Sequence, residues 1–274
     1  MAYEAGELLH YGLVPANNLL VLISQSGESA ETCALARQYA YMHSVVAVVN
    51  HTKSELGRWA DIVLPLLAGE EKCPSNKTYL ASLAILGHLV LALVDGKNDE
   101  YCQGLLQVAV MLEQKEAHWF AASLDWFTHL SECKFVSLIG CGYCLCTALQ
   151  GALILKEMAG IAIEGSSGAT FRHGPIELAG PGHGAIILAQ GNLTHELGIG
   201  LAYELAEYGS HVLLFTDREL ENKPNLLAVP MPSLAEEFAP YIYFLPLEFL
   251  AYRAALAKNY EPGVMRRISV RSHL

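Results

Sequence analysis

Uninterrupted apolar runs alternate with helix-length stretches along this chain. Leu19-Leu20-Val21-Leu22-Ile23 leads into a polar turn, Ser24-Gln25-Ser26-Gly27-Glu28-Ser29. A helix-like stretch, Ala30 to Tyr41, follows, and then a second apolar run, Val45 to Val49. Strands without polar alternation are those buried on both faces, as in parallel sheets covered by helices. The order strand, turn, helix, strand is therefore predicted for residues 19–49. The same plan returns later as a strand at Gly184–Ala189, a helix from about Thr194 to Tyr208, and a strand at His211–Thr216. Upstream of the two copies lie similar phrases, Ala5-Gly6-Glu7-Leu8-Leu9-His10 and Gly168-Ala169-Thr170-Phe171-Arg172-His173. The pattern predicts an α/β chain of two related halves, residues 1–114 and 115–274, joined near Lys115.

The copies differ in two ways. Before His173 the second half has a strand, Phe135 to Ile139, a Gly140-Cys141-Gly142 turn and a helix through Ala159. Before His10 there is almost nothing, so the first half is expected to lack its opening βαβ unit of roughly 30 residues. Either that half is naturally reduced or the chain begins inside a longer gene. The second difference is the turn itself. Ala189-Gln190-Gly191-Asn192 stands where the first copy has its serines, which implies that the strand–turn–helix frame does not need the hydroxyls.

In the first copy the turn stacks hydroxyls, one glycine and free N–H groups at a helix start. A helix start carries unpaired donors and a partial positive charge, which suits an anion such as phosphate. No Lys or Arg lies between Leu19 and Leu35, so hydroxyls and amides would hold the anion without a point charge. Ordinary N-capping by one serine is the simpler reading. The Ser-x-x-Glu capping box is absent, and one serine suffices for a cap where this turn has three. The most apolar stretch, Leu80 to Val94, is shorter than the ~20 residues of a membrane span and is interrupted by Ser82 and His88. It is predicted to be a buried helix.

Composition narrows the partners. The 274 residues are 53% hydrophobic and 16% charged, with a net charge of −11. That balance argues against nucleic acid or an anionic membrane as the main partner, while leaving room for an anionic metabolite at a local site. The 7 cysteines are odd in number and have no regular disulfide spacing. With Met1-Ala2-Tyr3-Glu4 lacking signal-peptide character, a reducing, cytoplasmic setting is expected. Cys141, Cys144 and Cys146 form one cluster, but no second pair at zinc spacing accompanies them. Buried core thiols are the expectation, and neither a metal nor a cofactor is called for.

Four segments in order resemble a known family. Ser24 to Ser29, Asn76-Lys77-Thr78, Gly151-Ala152-Leu153 through Lys156-Glu157, and His173-Gly174-Pro175 look like the sugar isomerase (SIS) family. The branch they are most similar to holds the isomerase domain of glucosamine-6-phosphate synthase, amino-sugar-phosphate deaminases and fructosamine-phosphate deglycases. The resemblance implies two doubly wound, flavodoxin-like parallel-sheet halves, a homodimer and a phosphorylated sugar as substrate. Ser24, Gln25, Ser26 and Ser29 would hold the phosphate, and Cys73 and Ser75 would line the sugar. Glu157 matches the family's proton-transfer base. His173 matches its ring-opening acid/base, a residue supplied by the neighbouring subunit. From the residues alone, Glu157 reads equally as a surface group near a helix end and His173 as a capping or core histidine.

The chain also departs from the synthase. Gln150 replaces a Glu, Ile154 replaces a Lys, and Arg266 or Arg267 stands where a C-terminal Lys forms a Schiff base. Arginine stays protonated and cannot act as an amine nucleophile. Cys73-Pro74-Ser75-Asn76-Lys77 differs from the family's usual Val-Ala-Ser-Thr-Lys. The expectation is an isomerase, deaminase or deglycase acting on an amino-sugar 6-phosphate or a fructosamine 6-phosphate, and not an amidotransferase. The alternative is a non-catalytic phosphosugar sensor or degenerate paralogue.

Overall fold

A computed structural model of the chain describes residues 1–15, 17–72, 74–94, 96–191 and 194–267. The chain divides into two compact units, Met1–Tyr101 together with the segment from Met265, and Cys102–Val264. Both are built on parallel sheets, as the apolar runs predict. Among the described residues no helix is long and apolar enough to cross a membrane.

The first unit runs α1 (Ala5–Tyr11), β1 (Leu19–Ser24), α2 (Ala30–Tyr39), β2 (Ser44–Val49), α3 (Glu55–Trp59), β3 (Ile62–Pro65) and α4 (Lys77–Leu93). Its three strands lie in the order β1-β2-β3, with Leu19 beside Ser44 and Ser24 beside Val49. Val45 to Val49 are buried on both faces of β2, as a run without polar alternation requires. Leu20 and Leu22 of β1 pack with Leu8, Leu35, Val45, Val49 and Leu56. Each such side chain contributes about 1.5–3 kcal/mol when fully buried. The helix expected over the apolar stretch forms as α4, but its burial does not follow. Thr78 is its one fully buried residue, and Val90, Leu93 and Val94 are exposed.

The second unit is entered through α5 (Asn98–Leu130), a helix of 33 residues. Lys115, the junction read from the sequence, lies inside it. Then come β4 (Phe135–Gly140), α6 (Cys144–Ala159), β5 (Ile163–Ser167), α7 (Gly168–Arg172), β6 (His183–Ala189), α8 (His195–Glu207), β7 (His211–Thr216), β8 (Leu226–Pro230), α9 (Ala239–Ile242) and α10 (Phe244–Ala257). Short 3₁₀ segments at Pro175–Leu178 and Glu236–Phe238 join them. The strand order is β5-β4-β6-β7-β8, all parallel. The order reverses between β4 and β6, which makes a doubly wound sheet. The sequence repeat is visible here: β1-α2-β2 and β6-α8-β7 share one plan, and α1 and α7 precede them. Among the described residues the first sheet has no strand in the place of β4 or β5.

His183 shows how the second core accepts a polar group. Its ring stacks near Phe135 and Phe171. Nε2 meets the Ser137 hydroxyl at 3.1 Å and Nδ1 the Ser210 hydroxyl at 3.0 Å. Burial pushes its pKa down, so the ring is held neutral.

Candidate functional site

The serine turn closes β1 and opens α2. Gly27 takes φ +69°, a conformation that glycine adopts without cost. A side chain there would also collide with Ser54, whose Oγ lies 2.0 Å from where a Cβ would sit. The turn is tied down by its backbone. Asn50 N–H donates to Gln25 O at 3.0 Å, and Leu56 N–H donates to Gly27 O at 3.0 Å. The Glu28 carboxylate accepts from the Glu55 amide at the start of α3 at 2.9 Å.

The hydroxyls bond within the turn. Ser24 Oγ accepts from the Gly27 amide at 3.1 Å and shares a 2.9 Å bond with Ser29 Oγ. Ser26 Oγ accepts from the Glu28 amide at 3.1 Å. Three hydroxyl protons are present, and among the described residues only the Ser24–Ser29 bond uses one of them. Two O–H donors remain. Ser29 occupies the N-cap position of α2, yet no side chain caps the helix. The simple capping reading of the serines is therefore not the arrangement seen. The first-turn amides of a ten-residue helix face the same turn as the spare hydroxyls. Together they make a donor-rich turn suited to an anion.

Asn50, at the end of β2, was not singled out from the sequence. Its Nδ2 donates to Gly69 O at 2.7 Å, and its Oδ1 accepts from the Ala68 amide at 3.0 Å. Glu71 was missed as well. Its carboxylate accepts from the amides of Asn76 and Thr78, both at 3.1 Å, and from the Thr78 hydroxyl. It thereby clamps the start of α4 around half-buried Ser75. Cys73 lies outside the described residues. The structure thus brings Ser24, Gln25, Ser26 and Ser29 into one turn, with Ser75 on a separate loop of the same unit.

Glu157 and His173 belong to the second unit. Glu157 sits in the last turn of α6, which Gly160 ends at φ +58°. It is half-buried, and that burial raises its carboxyl pKa. A raised carboxyl pKa is what a proton-transfer base near neutral pH needs. Ile154, where the synthase pattern has Lys, is 1% exposed and part of the core. His173 is exposed at the end of α7. Ser167 caps that helix by accepting from the Thr170 amide at 3.0 Å. Arg172 pairs with Glu204 of α8 at 2.7 Å. Gly174, at φ +134°, turns the chain immediately afterwards. The imidazole is presented outward on a pinned element.

The cysteine cluster behaves as the core reading expects in one respect. Burial first, then the neighbouring Cys146, pushes the Cys144 thiol up to about 12, far from a reactive thiolate. Among the described residues no group of His, Cys, Asp and Glu side chains is arranged to hold a metal.

The model of the SIS domain matches residues 1–92 and 129–257. The chain belongs to the SIS domain family. It is 32% identical over 261 residues to a glutamine–fructose-6-phosphate aminotransferase (isomerizing) of Bradyrhizobium diazoefficiens, an alignment covering 87% of this chain and 41% of that protein. The chain thus spans less than half the length of such relatives. Among solved structures it resembles the C-terminal domain of glucosamine-fructose-6-phosphate aminotransferase from Francisella tularensis. There the TM-score is 0.85 at 22% identity, covering 94% of this chain and 77% of that one. It also resembles a glucosamine-6-phosphate deaminase from Thermotoga maritima, with a TM-score of 0.77 at 19% identity, covering 97% and 79%. These two likenesses confirm the fold.

Proposed function

We propose that the protein is a phosphosugar enzyme of the cytosol acting on an amino-sugar 6-phosphate or a fructosamine 6-phosphate. The observation that carries this reading is the serine turn, where two hydroxyl protons and an uncapped helix start remain available to an anion. Ser24, Gln25, Ser26 and Ser29 hold the phosphate, and Ser75 with Cys73 lines the sugar. Glu157 takes a proton from one carbon of the open chain and returns it to the next, interconverting aldose and ketose forms. Where the carbon bears nitrogen, water then hydrolyses the resulting imine and the amine leaves. His173 assists ring opening from the partner of a homodimer, consistent with its outward position. An amidotransferase reaction is not assigned to this chain.

Ile154 favours a second reading, a phosphosugar sensor without turnover, because a buried isoleucine supplies no charge where the synthase pattern has lysine. Incubating the purified protein with glucosamine 6-phosphate and fructosamine 6-phosphates, and measuring ammonia or amine release, separates the two. Turnover that disappears in Glu157→Gln supports the enzyme. Thermal stabilisation by the phosphosugar without turnover, unchanged in Glu157→Gln, supports the sensor.

A further inference from the structure

The second unit contains an apolar cavity of about 240 Å³ that the proposed chemistry does not use. Phe127 of α5, Leu155 of α6, Ile163 of β5, Ile186 of β6, and Leu250 and Ala254 of α10 line it. Its origin is legible in α10. Leu250, Ala254 and Ala257 follow at intervals of four and three, one stripe of that helix. The stripe passes from a large side chain to two methyl groups, which leave the space unfilled. None of the turn serines, Glu157 or His173 lines the cavity. Glu157 lies two residues beyond Leu155, about 200° round the helix.

We propose that this cavity is a binding site for a small, uncharged apolar molecule the size of one substituted ring. The size follows from comparison with apolar cavities of about 150 Å³, which admit benzene. The absence of charge follows from the rim. The Ser131 hydroxyl is already donated to Thr128 O at 2.9 Å, and Lys258 Nζ to Gly160 O at 3.2 Å. The Cys133 thiol, raised in pKa by burial and then by Glu132, stays neutral. Helices α5, α6 and α10 all end beside this cavity, and their carbonyl ends disfavour an anion. The Lys258 ammonium at the same rim disfavours a cation. A charged head group carried inward among Phe127, Leu155, Ile163, Ile186, Leu250 and Ala254 would be desolvated with no partner among those side chains. The proposal does not rest on the reading of the serine turn.

Toluene, with benzoate and benzylamine as charged counterparts, tests it on the full chain. Methyl resonances of Leu155, Ile163 and Ile186 report the cavity, and the melting temperature reports linkage. Toluene is expected to shift those methyls saturably and raise the melting temperature. Both charged counterparts should bind at least about tenfold more weakly. Ala254→Phe fills the space and should abolish toluene binding. Ala257→Trp, at the exposed rim, closes the mouth with less demand on the core should Ala254→Phe fail to fold. No saturable shift with toluene, binding that survives both substitutions, or equal binding of a charged counterpart would overturn the proposal. None of these outcomes bears on phosphosugar turnover, which is assayed separately.

Discussion

The turn after β1 and the turn after β6 solve the same geometric problem with different chemistry. Each connects a buried parallel strand to a covering helix. In the first, serine hydroxyls bond to one another and to turn amides, and Asn50 holds the backbone from the end of the next strand. In the second, the Gln190 side chain donates to Leu234 O at 3.0 Å, and His195 Nε2 meets the Thr216 hydroxyl at 3.0 Å. His195, at the first position of α8, is buried, whereas Ala30, at the first position of α2, is partly exposed. The described side chains of the second corner, Gln190 and His195, are thus spent on other elements of their unit, while the first corner leaves donors unspent. A fold that can close this corner without hydroxyls does not by itself require three of them, which supports the phosphate-holding role proposed for the turn.

The largest test of this contrast lies in the second unit. Glu157→Gln should lower phosphosugar turnover by about 10²–10⁴-fold, with substrate binding at the serine turn retained. In the wild type, the acidic limb of the turnover profile should lie above the ordinary carboxyl value of 4.5, because burial raises the Glu157 pKa. A limb at or below that value would remove the base from the mechanism.

Next in size is a pair of glycine substitutions. Gly27→Ala forces a left-handed residue against Ser54 and should cost about 2 kcal/mol or more in chemical denaturation. Gly200→Ala, in the exposed middle of α8 with nothing within 4 Å of the added carbon, should stabilise by about 0.5–1 kcal/mol. Equal effects would mean that the first turn is not the tightly built corner described.

Ser26→Ala should weaken phosphosugar binding about tenfold, the loss of one hydrogen bond to a charged group. The melting temperature should barely move, since among the described residues Ser26 Oγ bonds only to the neighbouring Glu28 amide. Gln190→Ala should do the reverse, lowering stability and leaving phosphosugar affinity unchanged. Affinity unaffected by Ser26→Ala would return the turn to a purely structural role.

The smallest effect is a pH dependence of the second unit. Burial lowers the pKa of both His129 and His183 below 6.5. The unfolded chain therefore takes up protons first as pH falls. Their contribution to stability is complete above about pH 6.5 and is lost as the solution is acidified below it. Denaturation midpoints between pH 7 and 5 should decline, and His183→Phe should make the decline shallower.

Much of this architecture was legible because its strongest signals are local. The runs ending at Ser24, Val49, Ala189 and Thr216 are apolar on both faces, so their strand character and parallel pairing show in the residues themselves. β3, β5 and β8 were not identified. Each is only four or five residues long, and Glu164-Gly165-Ser166-Ser167 reads as a loop until β4 pairs with it. The amphipathic α5 was also passed over. Its exposed face carries Gln114, Lys115, Glu116 and His118, a polar stretch easily taken for a linker. Within the site, the serine turn was visible as a motif. Asn50, Ser54 and Glu71 were not, because their roles depend on backbone groups brought near by folding.

The side chain of Asn50 makes the serine turn readable from a distance. Its Oδ1 accepts from the Ala68 amide, while the backbone N–H of Asn50 donates to Gln25 O. Opening the turn must loosen Asn50, and a loosened Asn50 releases Ala68. Hydrogen exchange at Ala68, more than forty residues from Gln25 in sequence, should therefore slow when an anion settles among the serines, although Ala68 itself has no part in holding it.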